Sequence, residues 1–259
     1  MADRDMLTNR IILRSVLPLF KVLYLADETP IKKLLLKFDG VIQFGSHGSE
    51  NGAYLEFKQG NLDVIQGLHP NPEIAIIFKN IQDMNALFTG GKPKGFPTLK
   101  GLWRIPLLLR LVPLFIGLTM LQPNAQPKDP KKRELKVRLL MYMVTNALSQ
   151  LNKGGDEDMQ VWTKNQPDRI YQMSVQPEGP AAYMRVKGGK TKSGHGIYKR
   201  KAPFVHMKFN GLDSAYKVMA EGKETIQAMR DLDISLEGPP EYSGNLGSFM
   251  VRIQDLMMP

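Results

Sequence analysis

Three parts of this chain could do chemistry: its histidines, one acidic cluster and one glycine- and lysine-rich run. Each falls short of the geometry its chemistry needs. His47, His69, His195 and His206 include no pair four residues apart on a helix and no acidic neighbourhood, as a zinc or general-base centre would require. His206 is expected on a sheet face and the other three in turns. Asp156, Glu157 and Asp158 lack the alternation and closing glutamate of a calcium loop, so they read as a solvated acidic turn. In the run Lys187 to Gly194 the first glycine of a phosphate loop would fall on Met184, which excludes a nucleotide loop. Cysteine is absent, and with it disulfides, thiolate nucleophiles and Cys-ligated metal. No catalytic residue, metal or cofactor is therefore expected. An enzyme acting on a hydrophobic or CoA-linked substrate would need paired acid and base groups that the sequence does not space.

The elements that would position any site come from an internal repeat. Residues 53–60 match residues 182–189, with Leu55 and Phe57 in phase with Met184 and Val186. Glu56 and Lys58 fall with Arg185 and Lys187 on the other face, which is the alternation of a half-buried strand. Residues 72–78 match 203–209, again in phase: Ile74, Ile76 and Phe78 with Val205, Met207 and Phe209. A short helix ending in glycine follows in each copy, carrying Ile81, Met84, Leu87 and Phe88 in one and Leu212, Ala215, Val218 and Met219 in the other. Then come a strand with its glycine, Thr98 to Gly101 and Ser235 to Gly238, and a last apolar helix. Each copy opens with a helix, predicted over 9–25 and 132–151. Hairpin turns are predicted at 45–52, 59–61 and 188–189. Three prolines between Gln122 and Pro130 read as a semi-rigid extended connector, giving domains at 1–123 and 130–259 with a linker at 122–130.

Composition agrees with two folded domains. The chain has 259 residues, of which 42% are apolar and 23% charged, the balance of a globular protein. The net charge of +10 suits anionic lipid or acyl-CoA phosphates as well as nucleic acid. With 8% aromatic residues nothing suggests a base-stacking platform, so no nucleic-acid partner is expected. Seven basic residues and no acidic one lie between Arg185 and Lys201. They fit either a solvated edge that resists aggregation or a surface that docks to anionic lipid or a partner protein, through Lys190, Lys192, Lys199, Arg200 and Lys201. The first apolar stretch is broken by Arg10, Arg14 and Lys21, which is wrong for a secretory signal, and a cytoplasmic, in part peripheral-membrane, protein is expected.

In the order of these elements, Tyr54 to Gly67, Asn71 to Gly90, Thr98 to Gly101 and Gly222 to Gly238, the chain resembles the sterol carrier protein-2 family of small lipid-binding domains, twice in tandem. The first copy departs from the family between Gly91 and Phe96, where it is shorter. The resemblance implies an α+β fold, in each copy a mostly antiparallel five-stranded sheet with helices over one face. It also implies an apolar tunnel for a sterol, fatty acyl chain or similar molecule, and neither catalysis nor a cofactor.

The segment 102–121 is the most apolar in the chain. A membrane span would place Arg110 near mid-bilayer at a cost of roughly 2.5–3.5 kcal/mol. A buried core helix and a mobile lid are the other two readings. A lid would line the cavity and touch a bilayer with Trp103, Arg104 and Arg110 at headgroup level. Copy one carries the larger strand-face side chains, so it is expected to bind the ligand. The expected cavity residues are Leu55, Phe57, Ile74, Ile76, Phe78, Met84, Leu87, Phe88, Leu108 and Phe115. The function expected is carriage of a lipid or other hydrophobic small molecule, or presentation of a lipophilic substrate to a partner enzyme by an accessory subunit.

Overall fold

The computed structural model describes residues 3–28 and 30–258, and the chain divides into two compact units, Asp3–Thr119 and Met120–Leu256. Both are α+β, and both contain a five-stranded sheet.

The first unit begins with α1 (Arg4–Ile11), which runs on through one π-helical turn (Ile12–Val16) and then, after Leu17 and Pro18, into α2 (Leu19–Ala26). Pro18 has no N–H to give the ladder, and the turn before it widens so that Leu17 N–H bonds Ile12 O at 2.9 Å. After α3 (Pro30–Leu35) come β1 (Gly40–Ser46), β2 (Gly52–Lys58), β3 (Asn61–Gln66), β4 (Ile74–Phe78), α4 (Ile81–Thr89) and β5 (Thr98–Lys100). The apolar segment beyond is split into α5 (Ile105–Leu109) and α6 (Leu111–Leu118). Among the described residues no helix is long and apolar enough to cross a membrane.

The sheet order is β3-β2-β1-β4-β5, with β1 and β4 parallel at its centre. The sheet is thus mixed, not mostly antiparallel as expected. The cause is the connection from β3 to β4, which is no hairpin but a crossing over the sheet face that carries Gln43, Gly45, Gly52 and Tyr54. Leu68 makes the crossing on ground that two glycines leave clear: a Cβ on Gly52 would sit 2.4 Å from Leu68 Cδ2, and one on Gly45 at 3.3 Å. The buried Gln43 then accepts the His69 N–H at 2.6 Å.

The second unit repeats this plan. It holds α7 (Pro130–Lys153), α8 (Glu157–Lys164), β6 (Arg169–Val175), β7 (Ala181–Lys187), β8 (Lys190–His195), β9 (Val205–Phe209), α9 (Leu212–Met219), α10 (Thr225–Arg230), β10 (Ile234–Glu237) and α11 (Pro240–Met257). Its sheet order, β10-β9-β6-β7-β8 with β6 and β9 parallel, is the first one over again. The segment before α7 is not extended throughout. It opens with a turn in which Lys136, itself buried, donates to Gln122 O and Ala125 O at 3.0 and 2.6 Å.

Individual contacts repeat as well as elements. The β2–β3 turn has φ 50° at Gln59 and 77° at Gly60, and the β7–β8 turn has φ 51° at Gly188 and 75° at Gly189, the two left-handed residues of a tight hairpin. Gln172 accepts the Tyr198 N–H at 2.9 Å as Gln43 accepts that of His69. Tyr183 lies edge-on to Tyr198 at 4.9 Å, as Tyr54 does to His69 at 5.1 Å.

Candidate ligand cavity

The second unit forms a partly open cavity of about 400 Å³, within the range of small-molecule sites. Strand alternation supplies its floor: Tyr171 and Met173 from β6, Met184 from β7, Val205 and Met207 from β9 and Leu236 from β10 point the same way. Thr145 and Leu148, one helical turn apart on α7, form one wall, and Thr225, Ile226 and Met229 of α10 form another. The last wall is α11, which presents Ser243, Gly244, Leu246, Gly247 and Met250.

No lining residue is acidic, basic or a histidine, and the polar ones are mostly engaged elsewhere. The Tyr171 hydroxyl bonds Gln166 Oε1 at 2.5 Å, and burial pushes its pKa upward so that it stays protonated. The Thr145 hydroxyl donates to Met141 O at 2.9 Å. Such a site can hold an apolar body against its floor. Among its lining residues the titratable group is the Tyr171 phenol, which burial keeps protonated. Met173, Met184, Met207, Met229 and Met250 make it deformable, since unbranched thioethers fit themselves to irregular shapes.

The hollow arises from three local differences between the copies. The matching strands are offset by 131 residues at β4 and β9 but by 137 at β5 and β10, and the six added residues are the length of α10. Next, the last helix presents two glycines, Gly244 and Gly247, to the pocket. A Cβ built on either glycine meets nothing within 4 Å. Finally, Met173 takes the place of Phe44, which in the first unit lies 6.5, 6.1 and 6.2 Å from the rings of Phe20, Phe88 and Phe115.

None of the ten residues expected around a cavity lines this one, since all belong to the first unit. Leu55, Phe57, Ile74, Ile76, Phe78 and Met84 are buried there. Phe88 and Phe115 meet at 5.9 Å, and with Leu108 they are partly buried. Leu87 turns outward and is 44% exposed, because the inner face of α4 is set by Met84 and not by its neighbour three residues on. Arg110 also departs from expectation. It is 3% exposed and points inward, donating to Phe38 O at 2.8 Å and to the Tyr24 hydroxyl at 2.6 Å, with its guanidinium 4.1 Å from the Phe57 ring centre. It therefore cannot serve at a headgroup. Trp103, Arg104, Lys190, Lys192, Lys199, Arg200 and Lys201 are exposed. His195 closes β8 and stacks on Tyr142 at 3.7 Å, so it is not a turn residue, while His206 lies on β9 and contacts the Ser174 hydroxyl at 2.8 Å.

Gly244 and Gly247 were visible in the sequence as the glycine-rich entry to the last helix, but their meaning depended on where the fold places that helix. The contribution of α10 carried no periodic signal, being only six residues long.

No family model and no curated protein matches the chain. Among solved structures, it is similar to a double mutant of the sec-alkyl sulfatase PisA1, with 13% identity over 57% of this chain and a TM-score of 0.31. The match spans 23% of the length of that chain.

Proposed function

We propose that the second unit holds an apolar small molecule in its cavity and that the protein carries or sequesters a lipid or similar compound. The observation that supports this most is the uncharged lining of a space of about 400 Å³ opened by two glycines. Each methylene moved from water into such a site contributes about 0.8 kcal/mol, so tail length sets affinity and a charged head would stay outside. The element order that resembles the sterol carrier protein-2 family points the same way.

The test is organic extraction of freshly purified protein followed by mass spectrometry, run beside Gly244→Leu and Gly247→Leu. Both variants add side chains to a helix that has room for them, so they fold while filling the cavity. Hydrophobic compounds are expected from the wild type and depleted from both variants. Identical extracts from all three proteins would overturn the reading.

A further inference from the structure

We propose that the first unit docks on an anionic lipid surface through the outer face of α5 and α6 and the neighbouring β5 edge. The two helices carry two apolar stripes. Leu107, Leu111 and Leu114 are buried, whereas Ile105, Leu109, Val112 and Ile116 follow the same helical spacing on the other side and face solvent. Ile105 is 59% and Ile116 64% exposed, and Trp103, just ahead of them, is 81% exposed. The outward stripe is held in place from behind. Arg110 is tied to Phe38 and Tyr24, and Gly117 is so close to α2 that a Cβ there would lie 2.7 Å from Leu23 Cδ2. The face is therefore presented by a packed element, with no need for it to lift.

Charge selects the occupant. No aspartate or glutamate occurs between Asp83 and Asp129, and within that interval Lys92, Lys94, Lys100 and Arg104 are exposed, Lys100 and Arg104 adjoining the start of the stripe in the chain. Among the described residues none of these four cations has an ion-pair partner. A second copy of the chain brought to this face would bring a second unneutralised set of the same sign. Anionic headgroups complement it, with the tryptophan at the interface and the aliphatic stripe just beneath. The surface belongs to the first unit, so it stands independently of what fills the cavity.

The test is co-sedimentation of the full chain with phosphatidylcholine vesicles, with and without phosphatidylserine. The wild type should bind the phosphatidylserine vesicles and release in high salt, and Trp103 emission should shift to the blue on binding. Substituting Ile105, Leu109 and Ile116 by glutamine should lower binding about tenfold or more. Substituting Lys92, Lys94, Lys100 and Arg104 by glutamine should lower it by about fivefold for each cation removed. Trp103→Phe should abolish the emission shift. All these positions are exposed, and an unchanged thermal midpoint confirms folding. Vesicle binding that ignores these substitutions would overturn the proposal. So would a concentration-dependent dimer that the glutamine variants dissolve, which would make a second copy the occupant.

Discussion

Met173 and Met207 stand opposite each other across the parallel β6–β9 pairing, and both turn into the cavity. In the first unit the same pair is Phe44 and Ile76. Replacing Met173 by phenylalanine therefore puts a ring where the other copy already accommodates one. Overfilling a packed core costs about 1–3 kcal/mol, but here the added atoms enter empty space. The variant should unfold at or above the wild-type denaturant midpoint while its uptake of a fluorescent fatty acid falls about tenfold. A lower midpoint with unchanged uptake would place Met173 in ordinary core.

The repeat was legible because its markers are local. Turn glycines and period-two strands such as Leu55 with Phe57 and Met184 with Val186 declare themselves in any sequence window. The strand order was not legible, because the central strands β1 and β6 are buried on both faces over most of their length and so show no alternation to read. In the first unit the parallel partner arrives by a loop whose course depends on Leu68 seating on two glycines, a contact between distant residues. The cavity was harder still, since a hollow is made of missing atoms. Its trace in the sequence is a pair of glycines three apart, which says nothing until the fold places both on the pocket wall.

Glycines in this chain should separate sharply by the space around them. At Gly238, with φ 108°, a Cβ would lie 2.2 Å from Phe204 O, and at Gly101, with φ 82°, 1.8 Å from Glu73 O. Backbone atoms of a sheet cannot yield that distance, and the left-handed backbone adds its own strain of about 1–3 kcal/mol. Gly238→Ala and Gly101→Ala should each lose at least about 2 kcal/mol. Gly244→Ala, in a helix with open space around it, should gain about 0.5–1 kcal/mol. Urea denaturation of the three variants measures the contrast, and equal effects would contradict it.

His206 gives the second unit a dependence on pH. Burial first and the positive charge of Lys208 second hold its pKa below the usual imidazole value, with Glu237 opposing. The unfolded chain therefore takes up this proton more readily than the folded one. The contribution of the neutral ring is fully present above about pH 6.5 and is lost as pH falls from there through the lower folded value. Protonation would also alter the contact with Ser174, whose hydroxyl already accepts from Gln176 Nε2 at 2.9 Å. Denaturation midpoints should fall between pH 7.5 and pH 5.5, and His206→Gln should flatten part of that slope. A slope unaffected by the substitution would assign it to other groups.

Arg110 decides between two pictures of the apolar segment. Inside the first unit its guanidinium satisfies Phe38 O and the Tyr24 hydroxyl and lies over the Phe57 ring. Removing it strands a buried carbonyl and empties the space between the rings, so Arg110→Ala should cost about 2–4 kcal/mol. Arg110→Lys should recover only part, because an ammonium cannot reproduce the planar fork. Arg110→Met, which keeps much of the volume, should fall between wild type and alanine. A headgroup contact would behave in the opposite way, leaving stability within about 0.5 kcal/mol and weakening vesicle binding. Denaturation and vesicle sedimentation on the same three variants therefore distinguish an arginine that locks α5 and α6 to the core from one that reaches for lipid.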